Sequence, residues 1–281
     1  MKRFIHTYVL LFFCLLFLSC DKEEPLNNDN YLYPEMGEWF NYLCSPELGG
    51  RYSGSDGIKK AEKYICDIIG RSDSLTCVSF QTSKCEMTNI TYHVEGNNDS
   101  LIVVGAHYDA FGFKDKTPLP GADDNLSGVA VLLKTIKAFQ LDAISPYYSM
   151  DFCFFDGEEI GRYGSNHYVA NCSRGIKLYI NIDTCGNPDL ELSLDFSANC
   201  SYFASEFANM QSQFKMRMGE YNPIGYTTDC EPFETRKIPF VSIGAVVIPY
   251  YLHSLNDNVS NISFSRLEDI SNFLFKYLKS K

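Results

Sequence analysis

Positive charge is scarce in this chain. Its 24 lysines and arginines stand against 35 acidic residues, a formal net charge of −11. Beyond the first nineteen residues, which hold Lys2 and Arg3 and no acid, the balance is 22 basic against 35 acidic. A nucleic-acid partner needs a basic footprint to meet phosphate, so that class is excluded; beyond solubility the acidity says nothing about substrate. Long apolar runs are lacking as well: the stretch from Tyr8 to Leu18 falls short of the roughly 20 residues of a membrane span. The eleven cysteines include no Cys-x-x-Cys spacing, which leaves neither a zinc ribbon nor a thiol redox motif. After residue 30 no Gly/Ser/Pro-rich linker interrupts the chain, and no internal repeat is present. The 281 residues, 45% hydrophobic and 15% aromatic, suffice for one large domain over 31–281 with a substantial core.

What is present alternates between strand and helix signals. Tyr31 to Cys44 and Gly57 to Gly70 read as helices, the second opened by Ser53 or Ser55 as N-cap. Leu75 to Gln81 and Asn89 to Val94 read as strands, the latter edge-like. Leu101 to Ala106 is a continuous apolar run, the mark of a central strand covered on both faces. Ser127 to Phe139 has apolar residues at helical spacing. Asp151 to Phe155, Leu178 to Ile182 and Phe240 to Ile248 read as further buried strands, with Tyr163 to Ala170 and the amphipathic Phe264 to Leu278 as helices. The fold class that follows is α/β, a three-layer sandwich with a largely parallel, mixed central sheet flanked by helices. In such sheets the binding crevice lies beyond the carboxyl ends of the strands.

The N-terminus reads as an address. Lys2 and Arg3 precede the short apolar stretch, which ends in Leu16-Phe17-Leu18-Ser19-Cys20. This resembles the lipobox of bacterial lipoproteins, which implies a signal peptide over 1–19, lipidation of Cys20 and a flexible tether over 20–30; an ordinary secretory signal is the other reading. The Lys22-Glu23-Glu24 run resembles the signal that exports such lipoproteins to the outer-membrane surface, and equally reads as a solvated linker. Of the nine remaining cysteines at least one is unpaired within the chain, and Cys153 reads as a small core residue.

Chemistry concentrates at the strand ends. His107-Tyr108-Asp109 closes the Leu101–Ala106 run, and Gly121-Ala122-Asp123-Asp124-Asn125-Leu126-Ser127-Gly128 opens the next helix. Asp156-Gly157-Glu158-Glu159 follows the next strand, Asp183 the one after, and Tyr251-Leu252-His253 lies near the C-terminus. Imidazole and carboxylate suit zinc, and one carboxylate can bridge two ions about 3.5–4 Å apart. Taken singly, each has a bland reading: Asp123-Asp124 as a helix cap, Glu158-Glu159 as a solvated helix start, His107 as a buried core histidine. Five such signals in one order reverse those odds. His93 and His167 read as structural or surface residues.

The segment Leu43-Cys44-Ser45-Pro46-Glu47-Leu48-Gly49-Gly50-Arg51 with Gly54, Ser55 and Gly57, together with those strand-end residues, resembles the co-catalytic zinc aminopeptidases. That family also includes glutamate carboxypeptidase-type enzymes and glutaminyl cyclases. The resemblance runs from about residue 36 to the C-terminus. It implies two zinc ions bridged by Asp124, with His107 and Asp183 completing one site and Glu159 and His253 the other. It further implies Glu158 as general base on a zinc-bound water, Asp109 as the residue orienting His107, a cis bond at Asp124–Asn125 and Tyr226 as the oxyanion donor. Where relatives read Ser-Asp-His, this chain has Thr228-Asp229-Cys230, so pocket details transfer poorly.

Three functions follow as alternatives. The first is a secreted metal-dependent exopeptidase acting on peptide substrates. The second is a single-zinc glutaminyl cyclase, against which stand Leu252 where cyclases of this fold carry Trp, and Asp124-Asn125. The third is a non-enzymatic binder on a hydrolase scaffold, against which stands Glu158. The oligomeric state is not read from the sequence.

Overall fold

The computed structural model describes residues 33–142, 145–211, 216–221 and 228–281. The expected leader, Cys20, the tether and Tyr226 lie outside the described residues. The strands are β1 (Leu75–Gln81), β2 (Glu86–Val94), β3 (Asn98–His107), β6 (Tyr148–Phe155), β7 (Ile176–Asp183), β8 (Leu192–Phe196), β9 (Arg217–Glu220) and β10 (Phe240–Ala245). A separate small ribbon pairs β4 (Phe113–Lys114) with β5 (Thr117–Pro118). The helices are α1 (Pro34–Leu43), α2 (Asp56–Ile69), α3 (Ser127–Leu141), α4 (Tyr163–Asn171), α5 (Ser201–Gln211), α6 (Glu231–Thr235) and α7 (Phe264–Lys279).

The eight strands form one mixed sheet in the order β1-β2-β6-β3-β7-β10-β8-β9. Its centre, β6-β3-β7-β10, is parallel. The antiparallel pairs lie toward the sides, where β1 joins β2, β2 joins β6 and β8 joins β10. The strand that carries His93 is therefore not an edge, because β1 pairs along its outer side. Leucine, isoleucine and valine fill β3 continuously because both faces are covered. Ile102, Val104 and Ala106 pack with α1, α2, α3 and α7, whereas Leu101 and Val103 pack with Val169 of α4 and Phe233 of α6. Each such valine, leucine or isoleucine removed from water contributes about 1.5–3 kcal/mol.

Local signals resolve as chemistry requires. Ser55, not Ser53, caps α2 by accepting from Ile58 N (3.2 Å). Gly128 brings α3 against β7, since a Cβ there would lie 2.5 Å from the Ile182 carbonyl oxygen. β10 ends at Ala245, three residues before the expected Ile248. β8, α5, β9 and α6 are short elements that were not among those expected from the sequence. Cys153 is fully buried in the core. The parallel centre puts the ends of β3, β6, β7 and β10 along one edge, with His107 level with Phe155 and Asp183 level with Gly244.

Candidate metal centre

Along that edge the sequence-expected residues converge. His107 is the last residue of β3, Asp183 the last of β7, and Glu158 and Glu159 follow β6 by three and four residues. Asp124 sits in the kinked turn before α3, and the Asp124–Asn125 peptide bond is cis. His253 arrives from the loop after β10 with φ 54°, a left-handed conformation that few non-glycine residues adopt.

The two carboxylate oxygens of Asp124 face different histidines. Oδ1 is 3.2 Å from His107 Nε2, and Oδ2 is 3.1 Å from His253 Nε2. Asp183 Oδ1 lies 3.7 Å from His107 Nε2, and Glu159 Oε2 3.1 Å from His253 Nε2. The result is two sets, His107/Asp124/Asp183 and Asp124/Glu159/His253, each with its donor atoms within 4.8 Å of one another. One imidazole nitrogen and two carboxylate oxygens match a zinc site with a coordination position left open. Glu159 Oε1 is buried without a hydrogen-bond partner, an oxygen with lone pairs left for a cation.

A surrounding layer of polar groups fixes these residues. Asp109 Oδ1 lies 3.4 Å from His107 Nδ1. The same carboxylate accepts from the backbone N–H of Glu158 (3.1 Å) and of Glu159 (3.2 Å), so one side chain sets both the imidazole and the Glu-Glu turn. The Ser53 hydroxyl, freed from capping, donates to Asp156 at 2.6 Å and lies 3.4 Å from Asp109. Asp257 accepts from the N–H of Asp123 (2.7 Å) and of Asp124 (3.1 Å). Asp123 in turn accepts from Gly186 N–H and the Tyr251 hydroxyl, both at 2.7 Å. Arg51, 1% exposed, donates to the carbonyls of Leu43, Tyr108, Pro120 and Gly121, tying the Leu43–Arg51 segment to the two loops that present the centre.

The electrostatics favour positive charge between these carboxylates. Hydrogen bonds to Asp124 and Glu159 raise His253 to about 10. Burial works against protonating His107, but Asp109, Asp124 and Asp183 outweigh it and raise its pKa well above the ordinary value. Burial alone would raise Asp124, yet hydrogen bonds from both histidines hold it below the ordinary carboxylate range. An environment that draws protons onto two imidazoles suits a divalent cation equally. Glu158 contrasts with Asp124: burial raises it well above the carboxylate range, with Asp229, Asp183 and Asp109 adding and His107 opposing.

Two further residues belong to this centre and were not assigned a role from sequence. Asp257 lies in the polar run Asn256-Asp257-Asn258, which reads as a loop. Asp229, noted in the sequence only within Thr228-Asp229-Cys230, is 1% exposed and raised to about 7 by burial. It accepts from the Ser165 hydroxyl at 2.5 Å while its other oxygen has no partner. The substitution of Cys230 for the expected histidine offered the one available signal, since that cysteine is fully buried and leaves Asp229 without an adjacent imidazole.

The model of Peptidase family M28 matches residues 89–278. A probable leucine aminopeptidase of Trichophyton verrucosum is 34% identical over 115 residues, covering 37% of this chain and 30% of the fungal one. The fold is similar to that of the LapA aminopeptidase of Legionella pneumophila, with TM-score 0.71, 14% identity and coverage of 92% of this chain and 75% of that one. It is also similar to a glutaminyl cyclase of Bacteroides thetaiotaomicron, with TM-score 0.69, 17% identity and coverage of 88% and 98%. The chain spans about a third of the length of the first curated relatives it matches, 30% and 31%.

Proposed function

The chain belongs to peptidase family M28, and from that premise we propose that it is a zinc-dependent aminopeptidase that removes N-terminal residues from peptides. The observation that carries this reading is Asp124, whose two oxygens are shared between two imidazole–carboxylate sets. His107, Asp124 and Asp183 would hold one zinc ion, and Asp124, Glu159 and His253 a second. Such ions polarise a scissile carbonyl and make an attacking water acidic near neutral pH.

The chain's own residues move the proton. Glu158 stands outside both ligand sets, where burial and neighbouring carboxylates strengthen its hold on a proton. It takes the proton of the attacking water and delivers it to the leaving amine. Asp109 is the positioning residue, since it holds His107 and the backbone N–H groups of both glutamates. Tyr226 is read as the donor to the developing oxyanion. Cys20 is read as the lipidated residue that anchors the enzyme in the bacterial envelope; no helix among the described residues is long and apolar enough to cross a membrane.

The test compares neighbouring glutamates. Glu158→Gln should keep its zinc content and lose about 10²–10⁴-fold in turnover of aminoacyl-p-nitroanilides, the general-base range. Glu159→Gln should lose zinc as well. Near-wild-type turnover by Glu158→Gln overturns the mechanism, and cyclisation of glutaminyl peptides without hydrolysis would favour the cyclase reading instead.

A further inference from the structure

Beside the metal centre lies a cavity of about 290 Å³. Asp183 belongs both to its wall and to the His107 ligand set, so whatever fills the cavity meets the reacting atoms. Its volume is at the lower end of ligand pockets, the size of one side chain rather than a whole small molecule.

The wall is mixed in character. Ala245, Val246, Ile248 and Pro249 supply apolar surface, while Ser193, Ser242, Asp195 and Glu220 supply polar groups. The register sets the spacing. Asp183 pairs with Gly244 in β10, and Asp195, one strand farther, pairs with Ser242. Two strand spacings across are about 10 Å, and two residues along add about 7 Å. Such a span suits a long side chain whose α-carbon lies at the metal centre.

Asp195 has room to act there. Its Oδ2 accepts from the Ser193 hydroxyl (2.8 Å), and its Oδ1 lies over Gly219, where a Cβ would come within 2.6 Å. Among the described residues no lysine or arginine lines the cavity, and none forms an ion pair with Asp195 or Glu220. A wall that combines apolar surface with acidic residues lacking a cationic partner among the described residues fits a methylene chain with a cationic head.

We propose that this cavity receives the side chain of the substrate's N-terminal residue and selects lysine or arginine, with Asp195 as the specificity-determining residue and Glu220 assisting at the rim. The proposal rests on the aminopeptidase reading above. It is tested on the zinc-loaded full chain with p-nitroanilides of arginine, lysine, leucine, methionine and glutamate. The cationic substrates should exceed leucine in kcat/KM by at least about tenfold, and their advantage should shrink as salt rises. Asp195→Asn should reduce the arginine-to-leucine ratio of kcat/KM by about tenfold or more. Glu220→Gln, on an exposed position, should reduce it less, and serves if the Asp195 variant does not fold. A wild-type preference for leucine or methionine overturns the proposal and leaves the aminopeptidase reading intact. Equal loss on every substrate in Asp195→Asn also overturns it, since a merely structural role gives that pattern. Failure to turn over any aminoacyl substrate overturns both readings together.

Discussion

The two halves of the candidate metal centre share Asp124 and use the same donor types, yet they are carried differently. The His107 half is built on strand ends, with the His107 and Asp183 side chains 2% and 7% exposed. The His253 half is built on loops: the His253 side chain is 43% exposed, stacked on the half-exposed Phe111 (ring centroids 4.2 Å, 8°). The loop that carries it leaves Ile248 and Tyr250 largely in solvent. A strand in the middle of a packed sheet cannot move without disturbing its neighbours on both sides, whereas a surface loop can. One half is therefore preformed by the core and the other is adjustable.

The largest expected difference is in folding stability measured in chelator. His107→Ala removes an imidazole from among three buried carboxylates and should cost about 3 kcal/mol or more, since breaking a buried pair leaves charge uncompensated. His253→Ala, at an exposed position, should cost under about 1 kcal/mol. Similar losses in denaturant titrations would abolish the distinction between the halves.

Asp257→Asn probes the residue common to both. It turns a carboxylate that accepts from Asp123 N–H and Asp124 N–H into an amide with one acceptor oxygen, and should weaken zinc about 10–100-fold. Unequal loss, with the His253 half emptied first in a competitive chelator titration, would sharpen the comparison; unchanged affinity would remove Asp257 from the centre.

pH gives a smaller, signed effect. In chelator both histidines bind protons more tightly folded than unfolded. Their stabilisation is complete below about pH 6.5, the unfolded value. It is lost as pH rises, through about 10 for His253. The melting temperature of the metal-free protein should thus fall from pH 6 to pH 9. Zinc binding should strengthen over the same interval because its ligands must be deprotonated. A metal-free melting temperature that climbs with pH would contradict this balance of charges.

The smallest effect belongs to Phe111→Ala. Removing a stacked ring worth about 0.5–1.5 kcal/mol should weaken zinc in the loop half a few-fold and leave the strand half alone, as calorimetric titration would resolve.

The sequence made the preformed half legible. His107 ends an unbroken apolar run and Asp183 one interrupted only by Asn181, and such a run is forced into a doubly covered strand because only there are its apolar side chains out of water. Position marked the pairs Asp123-Asp124 and Glu158-Glu159, and the family resemblance singled out Asp124 and Glu159 within them. The strands β8 and β9 were not legible, since Leu192–Phe196 alternates apolar residues with Ser193 and Asp195 over only five positions, and β9 has four. A short amphipathic segment reads as a strand only once a neighbour supplies its hydrogen bonds.

The sequence by itself thus determined the layer architecture, the residues at the strand ends and the kind of ion they suit, because periodicity and donor chemistry are local properties. Only the tertiary structure decided that one Asp124 oxygen faces each histidine, that Asp257 holds its backbone from 133 residues away, and that Asp195 and Glu220 join the lining of the cavity that Asp183 shares. Those facts depend on distances across the sheet, and burial fixes them by removing water from groups that then must find partners in one another.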